Sequence, residues 1–184
     1  MTRFSILPLC CALLIHGCAS QTTTPATETG PSTPMASAPT YDSETLSDLL
    51  VAEVAAQRQS LGVTLGYYSR AAQSTRDPNV ISQAAQLPHY LEDPLQALAM
   101  SELWLETSPH NEDALQVAIL SEIRLGNTAT TTRYLDQLLS AHGEDALGRL
   151  VNQARGLGAQ GNLQLVEALA QLTHRYPDQA PLWY

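Results

Sequence analysis

The sequence predicts an all-α fold, a solenoid of about four helical hairpins, and three observations carry that expectation. Beyond Tyr41 apolar residues recur at spacings of three and four, as in Leu46, Leu49, Leu50 and Val54, then Leu95, Leu98 and Leu105 around Ala97, then Leu135, Leu138 and Leu139. That spacing gathers them on one stripe of a helix with 3.6 residues per turn. Helix starts are marked by capping residues, and punctuation returns at a near-constant interval. Pro109 and Pro177 lie 68 residues apart with Gly143 midway, and Leu125-Gly126-Asn127 is followed 35 residues later by Gln160-Gly161-Asn162.

Eight helices of about 14 residues follow, each with a local reason. The first two, Ser43 to Arg58 and Leu61 to Thr75, carry the first leucine stripe and are separated near Gly62. The third and fourth, Pro78 to Tyr90 and Pro94 to Thr107, each begin with Asp-Pro, at Asp77-Pro78 and Asp93-Pro94. The carboxylate caps free N–H groups, and the proline sits in the first turn, where its missing donor is harmless. The fifth, Glu112 to Leu125, opens on Asn111 with Glu112 and Asp113 at its electropositive end. The sixth, Thr128 to Ala141, follows the Gly126 turn. The seventh, Asp145 to Ala159, follows Gly143 and Glu144, and the eighth, Leu163 to Arg175, follows a turn expected at Gly161. Short links make neighbouring helices antiparallel.

A helix-turn-helix unit near 34 residues is the tetratricopeptide (TPR) interval, in which each hairpin exposes an apolar face that only the next hairpin can cover. The consensus residue types are met in part. With units starting at Pro78, Glu112 and Asp145 or Ala146, the small residue expected eight along is Ala85 in the first, while Ile119 and, counted from Ala146, Gln153 stand there in the others. A non-repeating helical bundle is the alternative. One further step of the interval from Ala146 reaches Ala180 and sets Trp183 at the consensus tryptophan position, so residues 43–184 read as a repeat domain whose last repeat is incomplete.

The N-terminal residues carry an address. Met1 to Gly17 has Arg3, an apolar stretch from Phe4 to Ile15 and then small residues, the layout of a signal peptide covering 1–17. Ile15-His16-Gly17-Cys18 resembles the lipobox of bacterial lipoproteins, with His16 where a small or hydroxylic residue is usual. Cys18 is the expected lipidation site, and Ala19 after it points to the outer membrane, facing the periplasm. An ordinary cleaved signal and an uncleaved anchor are the alternatives. Cys10 and Cys11 fall inside the signal, so no disulfide framework is available to the rest. From Ala19 to Thr40, 18 of 22 residues are Ser, Thr, Pro or Ala. Residues 18–42 therefore read as an acylated cysteine and a disordered tether with little to bury.

Charge and chemistry narrow the function. The chain has 18 acidic residues against 9 basic ones, all arginine and scattered, for a net charge of −9. Nucleic-acid binding needs a concentrated positive surface, so it is set aside. No catalytic residue is found: there is no G-x-S-x-G nucleophile motif and no glycine-rich phosphate loop. His89, His110, His142 and His174 are spaced 21, 32 and 32 apart, without the three-to-five spacing of a zinc pair, so neither metal nor cofactor is expected. The groove positions of the TPR unit fall on Asn79, Ser82, Gln86 and His89, then Asp113, Gln116, Leu120 and Ile123. These are the candidate partner-binding residues, with an ordinary solvated helix face as the alternative. Trp104, Tyr90 and Tyr134 are read as packing between helices.

The stretch from Leu46 to Pro78, most specifically LLVAEVAAQR and TRDP, resembles the first repeat of outer-membrane TPR lipoproteins of pseudomonads and their relatives. The resemblance continues more weakly to about Pro109. It implies a non-enzymatic adaptor that binds a periplasmic carboxyl-terminal processing serine protease and promotes degradation of cell-wall hydrolases. Family members carry many more repeats than this chain. The alternative role on the same architecture is an assembly factor for pilus or secretin biogenesis.

Overall fold

The computed structural model describes residues 40–173. The expected signal peptide, Cys18, nearly all of the tether, His174 and the incomplete repeat at Trp183 lie outside the described residues. Within them the chain forms α1 (Ser43–Gln57), α2 (Leu61–Thr75), α3 (Pro78–Tyr90), α4 (Pro94–Thr107), α5 (Glu112–Leu125), α6 (Thr128–Ala154), a short 3-10 turn (Arg155–Leu157) and α7 (Gly158–Thr173). No strand occurs among the described residues. Each helix packs on the next in sequence, and α3 also reaches α5, as α5 reaches α7. The fold is a tetratricopeptide-like α-solenoid.

The caps act as their chemistry requires. Asp77 accepts from the Asn79 N–H at 2.8 Å, Asp93 from Gln96 at 3.2 Å and Asn111 from Ala114 at 2.9 Å, each satisfying a donor that the first turn leaves unpaired. Chain reversal is achieved by a recurring device. Gln59, Glu92 and Gly126 adopt left-handed backbone at φ 58°, 58° and 82°. The following N–H then reaches back five residues, from Ser60 to Ala55 O, Asp93 to Pro88 O and Asn127 to Glu122 O, at 2.9 to 3.0 Å, which is the Schellman closure of a helix C-terminus.

The C-terminal elements differ from expectation. Residues 128–154 comprise two helical stretches that meet at a kink at Gly143, whose φ 72° and ψ −167° are non-helical and lie where essentially only glycine is tolerated. The break expected at Gly143 between two helices is thus present, as a sharp kink rather than a longer link. Helix α6 stops at Ala154 instead of Ala159, and α7 begins at Gly158 instead of Leu163. Gly158 makes the break with φ 73° and ψ −175°, so the turn expected at Gly161 falls inside a helix. Gly62 likewise lies in the first turn of α2.

Two apolar clusters fill the interior. One gathers Ala71, Ala72, Val80, Ile81, Ala84, Ala85, Met100, Trp104 and Ala114. The other runs from Leu115 through Ile119, Leu135, Leu138, Leu147 and Leu150 to Leu165 and Leu172. Helix α5 joins them and is buried without interruption from Ala114 to Ile123, because α3, α4, α6 and α7 surround it. Leu135, Leu138 and Leu139 are buried as expected. The stripe on α1 is only partly covered: Leu49 packs against the first cluster, while Leu46, Leu50 and Val54 are 47%, 66% and 44% exposed. Thr45, Asp48, Ala52 and Ala55 are buried on α1 instead. A hairpin with a neighbour on one side only covers one face, and here the covered face carries the small residues.

Candidate functional site

Three first helices of successive hairpins, α3, α5 and the part of α6 after Gly143, present their side chains to one pocket of about 470 Å³. Its lining is Gln86, His89, Tyr90, Asp113, Gln116, Val117, Leu120 and Gln153. Five of the eight residues expected from the groove positions therefore meet: Gln86, His89, Asp113, Gln116 and Leu120. Asn79 and Ser82 sit two turns and one turn before Gln86 on α3 and do not line the pocket. Ser82 bonds the Asn79 carbonyl at 2.8 Å. Ile123 is 2% exposed and belongs to the core, because α5 has neighbours on every side at its C-terminal end.

The pocket contains residues not anticipated. Gln153 lies at the ninth position of the next unit, so the same offsets carried one repeat further would have found it, together with Arg149. Tyr90, expected to pack between helices, is 78% exposed and touches the His89 ring edge-on at 6.1 Å between centroids. Trp104 and Tyr134 are buried as expected.

A directed chain of hydrogen bonds stiffens this face. Gln153 Nε2 donates to Gln116 Oε1 at 3.0 Å, Gln116 Nε2 donates to Glu112 Oε1 at 2.8 Å, and Arg149 Nε donates to the same oxygen at 2.8 Å. The Arg149–Glu112 ion pair closes at 2.7 Å. Nearby, His142 Nε2 donates to the His110 carbonyl at 2.6 Å, so these two histidines meet through ring and backbone rather than as a ring pair. His89 is half-buried, and burial, reinforced by the Arg124 charge, lowers its pKa below the ordinary 6.5. The imidazole is therefore neutral near pH 7. Its Nδ1 is buried without a partner among the described residues.

Among the described residues no group of three or more His, Cys, Asp or Glu is placed to hold a metal ion, and no helix is long and apolar enough to cross a membrane. What this arrangement offers is polar recognition on a rigid helical face.

Over 144 residues, 78% of the chain, the sequence is 30% identical to a TPR repeat-containing protein of Pseudomonas aeruginosa. The chain spans 24% of that relative's length. No family model matches the sequence. Yeast Tom70 superposes with a TM-score of 0.49 and 18% identity, over 72% of this chain and 26% of that one. A tetratricopeptide repeat protein from Parabacteroides merdae gives 0.47 and 16%, over 76% and 57%.

Proposed function

We propose that this chain is a lipid-anchored, non-enzymatic adaptor that holds a periplasmic carboxyl-terminal processing protease and its substrates on the first helices of its hairpins. One observation carries the reading: polar side chains from three successive hairpins converge on a single pocket stiffened by its own hydrogen bonds. Such a surface engages another polypeptide without chemistry of its own. The lipobox-like Ile15 to Cys18 and the Ser/Thr/Pro/Ala-rich stretch after it supply the anchor and the leash. Tethering two proteins to one scaffold raises their effective concentration for each other, with no catalytic group required.

The test is affinity purification of the tagged full chain from detergent-solubilised membranes, with mass spectrometry of what co-elutes. A processing protease supports the adaptor, whereas pilus or secretin subunits in its place would transfer the role to assembly. Labelling with radioactive palmitate, lost in Cys18→Ser, tests the anchor separately.

A further inference from the structure

The pocket carries an acidic group and, among the described residues, no unpaired cation. Asp113 lines it with an exposed carboxylate that has no ionic or hydrogen-bond partner among the described residues. Gln153 gives its Nε2 to Gln116, which leaves its Oε1 free to accept. The two cations nearby are already engaged. Arg149 is paired with Glu112 at 2.7 Å, while Arg124 reaches Glu92 at 4.0 Å and the His89 carbonyl at 3.5 Å. Val117 and Leu120 form an apolar floor, and the exposed Tyr90 ring stands at the rim.

We propose that this pocket binds a cationic side chain, lysine or arginine, projecting from the partner polypeptide. Its aliphatic stem lies along Val117 and Leu120, and its charged head meets Asp113, the Gln153 carbonyl oxygen and the face of Tyr90. A carboxylate paired with a multi-donor cation gives a charge-assisted hydrogen bond, and an aromatic face within about 6 Å adds a cation–π contact. The neutral imidazole of His89 adds no opposing charge. An anionic ligand would face an uncompensated carboxylate in a protein of net charge −9. The inference deepens the adaptor reading and rests on it for the identity of the polypeptide, though not for the chemistry of the pocket.

Saturation-transfer NMR on the purified full chain in detergent tests it, with the N-acetyl methylamides of arginine, lysine, norleucine and glutamine as probes. The two cationic probes should bind and their saturation should fall in high salt. Asp113→Asn should weaken them by roughly three- to fivefold, the range of an exposed ion pair. Asp113 is exposed, so this variant keeps the fold, checked by circular dichroism. Tyr90→Ala should weaken the cations more than norleucine. Equal saturation by norleucine and arginine, or unchanged affinity in Asp113→Asn, overturns the proposal. If the cations fail while a processing protease still co-purifies, only the pocket assignment falls. If they bind and no protease is captured, the adaptor reading falls alone.

Discussion

Gln153 donates to Gln116 across 3.0 Å, and the two residues stand 37 positions apart. Contacts of this reach recur along the molecule: Tyr41 to Asp77, Arg124 to His89, Arg149 to Glu112 and Thr132 to Gln171 span 36, 35, 37 and 39 residues. No side-chain hydrogen bond among the described residues reaches further than 39. Each hairpin is therefore coupled to its neighbour and to nothing beyond, the energetic signature of a one-dimensional array.

Additivity follows from that coupling. Ile81 and Leu150 belong to different apolar clusters, which share only Leu105 at their margins. Ile81→Val is expected to cost about 0.5–1.5 kcal/mol and Leu150→Ala about 2–5 kcal/mol. In urea unfolding the double variant should equal their sum within about 0.5 kcal/mol. A larger discrepancy would mean that strain passes through the whole array.

Acid should loosen the first hairpin by a named route. Asp48 on α1 is buried, and Arg70 on α2 grips it with two N–H donors, Nε at 2.5 Å and Nη2. These bonds hold the carboxyl below its ordinary pKa of 3.8. A carboxylate with a lowered folded pKa contributes stability above its unfolded pKa and loses it as pH falls through the folded value. Arg70→Gln should therefore melt below the native protein at pH 7, and the two melting points should converge as pH falls through the lowered folded pKa of Asp48. A difference that persists undiminished in acid would assign the effect to Arg70 packing rather than to its charge.

Backbone strain gives a pair of opposite expectations. Gln59 is exposed and left-handed at φ 58°, a conformation that costs a residue with a Cβ roughly 1–2 kcal/mol. Gln59→Gly removes that cost but adds freedom to the unfolded chain, so a net gain of about 0.5 kcal/mol is expected. Gly143 occupies a region closed to other residues, and Gly143→Ala should cost about 1–3 kcal/mol although no atom stands within 4 Å of the new Cβ. Chemical denaturation reads both, and a stabilising Gly143→Ala would refute the kink as described.

The contrast between those positions shows what the sequence could reveal. Helices α2 to α5 were legible to the residue because their boundaries carry side-chain chemistry, as at Asp77-Pro78, Asp93-Pro94 and Asn111. Reversals at Gln59 and Glu92 are made by ordinary residues held left-handed by the hairpin itself, so they leave no glycine to read. The leucines of α1 mark the helix but not its buried face, because periodicity identifies a stripe without saying whether a neighbour covers it. At the pocket, the offsets found Gln86, His89, Asp113, Gln116 and Leu120, for a groove position depends only on helix phase. Asn79 and Ser82 fall short of the pocket along α3, and Ile123 is lost to the core where α6 and α7 close over α5. The exposure of Tyr90 depends on where α3 ends.

Gly161 offers the sharpest separation of sequence pattern from structure. Read as a turn, it should tolerate little change in φ but have room for a side chain. In the fold it lies within α7, and a Cβ there would stand 2.6 Å from Leu157 Cβ and 3.5 Å from Ile123 Cγ2. The glycine is present for closeness, leaving room for Leu157 of the preceding 3-10 turn to fold against α7. Gly161→Ala should therefore destabilise by about 1–3 kcal/mol through overpacking, outweighing the helix-propensity gain of up to about 1 kcal/mol. Gly148, on α6 with nothing within 4 Å, is the control, and its replacement by alanine should stabilise by about 0.5–1 kcal/mol. Equal and favourable effects at both positions would remove the contact with Leu157 from the account of how the last hairpin closes.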